Sequence, residues 1–165
     1  MTGIVLVLHF GIFDLLSLGW RRLGVDAAPV MRSPLRSTSL AEFWGRRWNT
    51  AFHELAARFT YAPLRSTVGS GAATVLTFLV SGLIHELVIT VPAGGGYGLP
   101  TGYFLLQGLG AATERSRRGR RLGLGAGRRG WLFTALVVGA PAYFLFPPPF
   151  VRNVILPMLS AIGGA

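Results

Sequence analysis

His85 and Glu86 stand side by side inside an apolar run from Ala72 to Val91. Imidazole and carboxylate exchange protons, and a charged one at the middle of a bilayer costs about 2.5 kcal/mol or more, so such groups normally face a protein-lined cavity. On that ground His85 is a functional candidate; the competing reading is a histidine hydrogen-bonded between helices. Neighbours on a helix point about 100° apart, so His85 and Glu86 do not form one catalytic pair. Glu86 is expected to pair with an arginine or to cap a neighbouring polar group. Ser81 lies one turn before His85 on the same face, and Gly82 permits close approach of a neighbouring helix. A second cluster lies upstream in Ser39-Leu40-Ala41-Glu42-Phe43-Trp44-Gly45-Arg46-Arg47-Trp48-Asn49.

The element expected to carry this second cluster is an amphipathic helix over 39–59. Ser39 with Glu42 three residues on is a capping-box arrangement, in which each side chain serves an otherwise unpaired backbone N–H. Trp44, Trp48, Ala51, Phe52, Leu55 and Phe59 recur at helical spacing on one face, while Arg46, Asn49, Thr50 and His53 lie opposite or at the border. A Trp-rich helix with arginine on its polar flank suits the headgroup layer, lying in its plane, and interfacial anchoring is its plain reading. His53, one turn after Asn49, is either a supporting residue or part of the helix surface.

Composition sets the class. A chain of 165 residues that is 51% hydrophobic and 13% charged is too apolar for a soluble domain and reads as an integral membrane protein with room for about four spans. The net charge of +10 does not indicate nucleic acid, because the basic residues are confined between apolar runs, where they set orientation and attract anionic lipid. All 16 basic residues are arginine, which weakens any argument from a single one. With no cysteine there is no disulfide, thiolate nucleophile or sulfur-ligated metal.

The expected architecture is all-α: a multi-pass transmembrane bundle forming one domain over 1–165. Its spans are 3–20, 72–91, a short, glycine-punctuated one over 99–112 that is tilted, broken or packed inside, and 131–146, with a partial or interfacial helix over 151–162. The first span carries His9 and Asp14 and is not expected to be a cleaved signal. Eight arginines fall between Arg21 and Arg65, seven between Arg115 and Arg129, and none between Pro92 and Gly98. Both basic stretches therefore share one side, the cytoplasmic one by the positive-inside rule. The expected location is a bacterial plasma membrane.

Phe43-Trp44-Gly45-Arg46-Arg47-Trp48-Asn49 followed by Ser81-Gly82-Leu83-Ile84-His85-Glu86 resembles the paired signature of the wax synthase branch of the membrane-bound O-acyltransferase superfamily. His9-Phe10-Gly11-Ile12-Phe13-Asp14, Pro34-Leu35-Arg36-Ser37-Thr38-Ser39-Leu40 and Gly96-Tyr97-Gly98-Leu99-Pro100-Thr101 with Tyr103-Phe104 extend the likeness over roughly residues 9–114. It implies acyl transfer from acyl-CoA, as co-substrate, to the hydroxyl of a long-chain alcohol or similar lipid, with no metal and no other cofactor. By the same resemblance His85 is general base or proton shuttle and Asn49 its polar partner, orienting the imidazole or donating to the oxyanion. Trp44, Arg46, Arg47, Trp48, Ser81 and Glu86 are the expected substrate-binding residues, the arginines attracting CoA phosphates or, equally, membrane headgroups. His9 and Asp14 match family positions that line the interior. Family members are larger bundles, so this chain resembles a C-terminal half: a fragment, a mispredicted start, or a reduced protein that requires a partner subunit for the missing spans. Other acceptors, such as a sterol, a diacylglycerol or a polyketide hydroxyl, and a catalytically incomplete membrane subunit are the alternatives.

Overall fold

The structure is a computed structural model that describes residues 30–161, together with Gly19 and residues 22–24. His9, Asp14 and nearly all of the first expected span lie outside the described residues. Every regular element among the described residues is a helix. A 3-10 turn at Pro34–Arg36 leads to α1, residues 40–47, where an α turn Leu40–Glu42 widens into a π turn Phe43–Arg47. Then come α2 (Thr50–Ala93), α3 (Leu99–Arg115), α4 (Arg117–Leu122), α5 (Gly127–Gly139, extended by Ala142–Leu145) and α6 (Pro148–Ala161).

The single amphipathic helix expected over 39–59 is divided. Trp48 is extended (φ −105°, ψ 120°) and Asn49 is left-handed (φ 44°, ψ 64°), so the chain turns out of α1 and starts α2 afresh. Asparagine tolerates the left-handed region better than other side-chain-bearing residues, and its carboxamide can cap the helix that follows. Of the capping box, the Ser39 hydroxyl accepts from Glu42 N–H at 2.9 Å as expected. The Glu42 carboxylate reaches one residue further back, accepting from Thr38 N–H at 2.8 Å.

Helix α2 covers 44 residues but is not a rod. Gly69 interrupts it at φ 79°, ψ 167°. The rings of Phe52 and His85 lie 6.4 Å apart, whereas an unbroken helix would separate these positions by about 50 Å. The chain therefore doubles back at Gly69, with an arm of 17 residues from Phe52 and one of 16 to His85. The expected span 72–91 is the second arm. The first, rather than lying apart in the headgroup plane, returns beside it.

The core sits between the second arm and α3, whose inner face buries Pro100, Phe104, Gly108 and Ala111. Glycines bring the backbones together: a Cβ at Gly82 would come within 2.8 Å of Thr101 Cα, and one at Gly108 within 3.2 Å of Val75 Cα. The close approach expected at Gly82 is thus present. With 17 residues, α3 is about 25 Å long; it buries one face and leaves Leu106 and Leu109 exposed on another. On its other side the Tyr103 hydroxyl donates to the Val138 carbonyl (3.3 Å) and Gln107 Nε2 to the Val137 carbonyl (2.8 Å), tying in α5.

By length and apolarity α2 qualifies to cross a membrane, and α5 with α6, bent by 57° at Phe146-Pro147, qualifies as a second span if taken together. The expected span 131–146 overlaps the first of this pair, and the segment expected over 151–162 overlaps the second, α6.

Candidate functional site

His85 ends the α-helical part of the second arm, directly before a π turn, Glu86–Thr90. Its Nδ1 lies 2.7 Å from the Ser81 carbonyl oxygen. A carbonyl only accepts, so Nδ1 carries the proton, and the neutral ring then has its lone pair on Nε2. Ser81 contributes through its backbone rather than its hydroxyl. The imidazole is half-buried and stacks at a tilt on Phe104, 4.2 Å between centroids, with Phe52 at its edge.

Glu86 diverges from His85, as the 100° step requires. Its Oε1 accepts from the Thr101 N–H (3.0 Å) and hydroxyl (2.8 Å), and its Oε2 from the Thr90 hydroxyl (2.5 Å). Thr101 is the third residue of α3, so Glu86 caps that helix across the interface, where a negative charge also suits the helix dipole. Of the two expected partners it takes the polar group and not an arginine.

Asn49 Oδ1 accepts from Phe52 N–H at 3.2 Å, capping the first turn of α2. Backbone bonds from Thr50 N–H to the Val30 carbonyl (3.1 Å) and from Arg32 N–H to the Arg47 carbonyl (2.8 Å) fix this corner. Asn49 thus reaches the His85 neighbourhood through Phe52, whose ring meets the imidazole. The cap employs only its oxygen, leaving the amide N–H groups as its donors.

Between the two motifs runs a chain of rings. Trp48 stacks on Phe43 (5.4 Å), Phe43 meets Trp44 edge-on (5.0 Å), and Trp44 contacts Phe78 (5.7 Å) and Phe104 (5.8 Å), the ring that covers His85. Trp44 Nε1 donates to Gln107 Oε1 at 3.3 Å. The two expected phosphate ligands part company. Arg47 is bound to Glu42 at 2.7 Å and donates to the carbonyls of Arg32 and Ser33, so it braces the corner. Arg46 is exposed. The Thr38 N–H and the Arg47 guanidinium hold the Glu42 carboxyl below its ordinary value against the opposing effect of burial.

Residues 27–106 match the family model described as membrane bound O-acyl transferase. This segment belongs to that family. Similar proteins include "Probable long-chain-alcohol O-fatty-acyltransferase 7" of Arabidopsis thaliana, 33% identical over 147 residues that cover 79% of this chain and 42% of the relative. "Long-chain-alcohol O-fatty-acyltransferase" of Simmondsia chinensis is 34% identical over 102 residues, 56% of this chain and 29% of the relative. The names are those of the wax synthase branch, as the paired motifs imply. The chain spans less than half the length of these curated relatives, which are plant proteins and lend no support to a bacterial setting. No solved structure matches the chain.

Just after this acyltransferase-family segment, sequence reasoning passed over Gln107 and Glu114, and Phe104 entered it only through its likeness to the family. Glu114, buried on α3, accepts from Leu40 N–H (2.6 Å) and Ala41 N–H (3.5 Å) and so holds the start of α1. Gln107 had a usable signal, an amide inside the apolar 99–112 run, the same kind of anomaly that singled out His85.

Proposed function

We propose that the chain carries the catalytic residues of an acyl-CoA-dependent O-acyltransferase that esterifies a long-chain alcohol or similar lipid hydroxyl. The observation that bears most weight is the Ser81 carbonyl on His85 Nδ1, which leaves Nε2 as the basic nitrogen. In the proposed step Nε2 takes the alcohol proton as the alcohol oxygen bonds to the thioester carbonyl carbon. The carbonyl oxygen becomes an oxyanion, to which an Asn49 N–H donates. When the intermediate collapses, the C–S bond breaks, the imidazolium returns its proton to the CoA sulfur, and ester and free CoA leave. The aromatic chain from Trp48 to Phe104 provides an apolar wall for the lipid substrates, and exposed Arg46 attracts the CoA phosphates. The four-span topology, with the arginine-bearing end cytoplasmic, belongs to this reading.

The partial coverage of the relatives favours a second reading, in which these residues need further spans, from a partner subunit, to wall off acyl-CoA from water. Membranes expressing this chain, given labelled palmitoyl-CoA and hexadecanol, test both. Ester from wild type that vanishes in His85→Ala at matched expression supports the first reading. No ester above an empty vector from folded, inserted chain, with ester appearing once the partner is co-expressed, supports the second. Undiminished activity in His85→Ala overturns the mechanism.

A further inference from the structure

Two segments far apart in sequence meet on one face. The Trp131 indole N–H donates to the Leu35 carbonyl at 2.8 Å, and a Cβ at Gly130 would collide with the Thr38 carbonyl oxygen. The start of α5 is therefore seated on the 35–38 strip, bringing Arg32 and Arg36 to the side of the molecule that holds α4. Arg117, Arg118, Arg121, Arg128 and Arg129 are all exposed there, as are Arg32 and Arg36.

Among the described residues nothing neutralises this charge. Arg47 with Glu42 forms an ion pair, Glu114 is turned to the amides of Leu40 and Ala41, Glu86 lies at the opposite end of α3, and Glu54 is on the first arm of α2. Seven like charges on one face repel one another unless anions from outside balance them. Large apolar side chains of the same segments are exposed as well: Leu35 is 85% exposed, Leu122 58% and Trp131 48%. A soluble polyanion would satisfy the arginines but leave these side chains in water. A leaflet of anionic phospholipid satisfies both, headgroup phosphates taking the guanidiniums while leucine and indole enter the acyl boundary.

We infer that the face formed by residues 32–36 and 117–131 docks onto an anionic phospholipid leaflet, with Leu35, Leu122 and Trp131 inserted and the arginines on lipid phosphates. This inference is independent of the acyltransferase chemistry. The test reconstitutes the full chain in nanodiscs of phosphatidylcholine containing equal fractions of brominated phosphatidylglycerol or brominated phosphatidylcholine. The Trp131 signal is taken as the difference between wild type and Trp131→Phe. Quenching by the anionic lipid should be about twofold or more that by the neutral one, with the excess reduced by high salt. The excess should also disappear in a variant with Arg117, Arg118, Arg121 and Arg128 changed to Gln. Equal quenching by both lipids in wild type overturns the inference without needing any arginine variant. An anionic excess that added free CoA abolishes reassigns the arginines to a soluble nucleotide and overturns it as well.

Discussion

The two ends of α3 are both held by a carboxylate on backbone N–H groups, and they differ in what the carboxylate secures. At the first end, Glu86 reaches across from α2 and caps α3 itself, beside the ring of His85. At the other, Glu114 belongs to α3 and caps α1, the element that carries Trp44 and Arg46. One acid locks two core helices into register; the other hangs the first motif on that core. Of the chain's six acidic residues, three are thus helix caps once Glu42 on Thr38 is counted, and the candidate base is held by a carbonyl. In an arginine-rich chain the scarce carboxylates build the frame.

The first way to sharpen this contrast is His85→Ala, which removes the chemistry proposed for the Glu86 end and leaves both caps intact. Ester formation should fall by about 10²–10⁴-fold with little change in thermal stability in detergent, measured by product assay and scanning fluorimetry on the same preparation. Next, Asn49→Asp keeps a carboxyl oxygen for the Phe52 N–H but removes the amide donor. Activity is expected to drop about 10²-fold or more at near wild-type stability, while Asn49→Ala also loses about 1 kcal/mol of stability. Full activity in the aspartate variant would reduce Asn49 to a cap.

Third, Glu86→Ala and Glu114→Ala each strand buried N–H groups, at about 1–3 kcal/mol per group, and both should unfold earlier. The contrast predicts that specific activity per folded molecule falls further for Glu86, whose loss frees Phe104 from its place on His85. Equal losses would break the distinction. The smallest effect is that of pH on Glu42. Because its folded pKa lies below its unfolded one, its stabilisation is present above the ordinary carboxylate value and is lost as pH falls through the folded value. A Glu42→Gln variant should lack this component in a pH series of unfolding curves.

Much of the site was legible because its signals are local. A histidine in an apolar run, a serine one turn earlier and a glycine between them need only helical periodicity to be placed, and the divergence of Glu86 follows from the same 100° step. The break of the 39–59 helix was not legible, since Trp44, Trp48, Phe52 and Phe59 keep a helical rhythm across it. The rhythm is coincidental: Trp44 and Trp48 pack through α1, whereas Phe59 is 69% exposed on α2. Nor could spacing reveal α3 as the hub, because Phe104, Gln107 and Glu114 matter through partners 19 to 74 residues away. Spacing likewise could not show that Arg47 pairs with Glu42 and donates to the carbonyls of Arg32 and Ser33.

Gly69 has a further consequence for how this chain enters a bilayer. A Cβ there would meet open space, so what the position demands is a backbone conformation that side-chain-bearing residues resist, not room. The arm before it, with His53, Glu54, Arg58 and Arg65, is too polar to partition into hydrocarbon alone. The arm after it holds the apolar run from Ala72 to Val91, in the one helix among the described residues that is by itself long and apolar enough to cross a membrane. Joined by one sharp turn, the two form a hairpin whose polar arm needs the apolar one to share a bilayer, and the same turn carries Phe52, capped by Asn49, to the edge of the His85 ring.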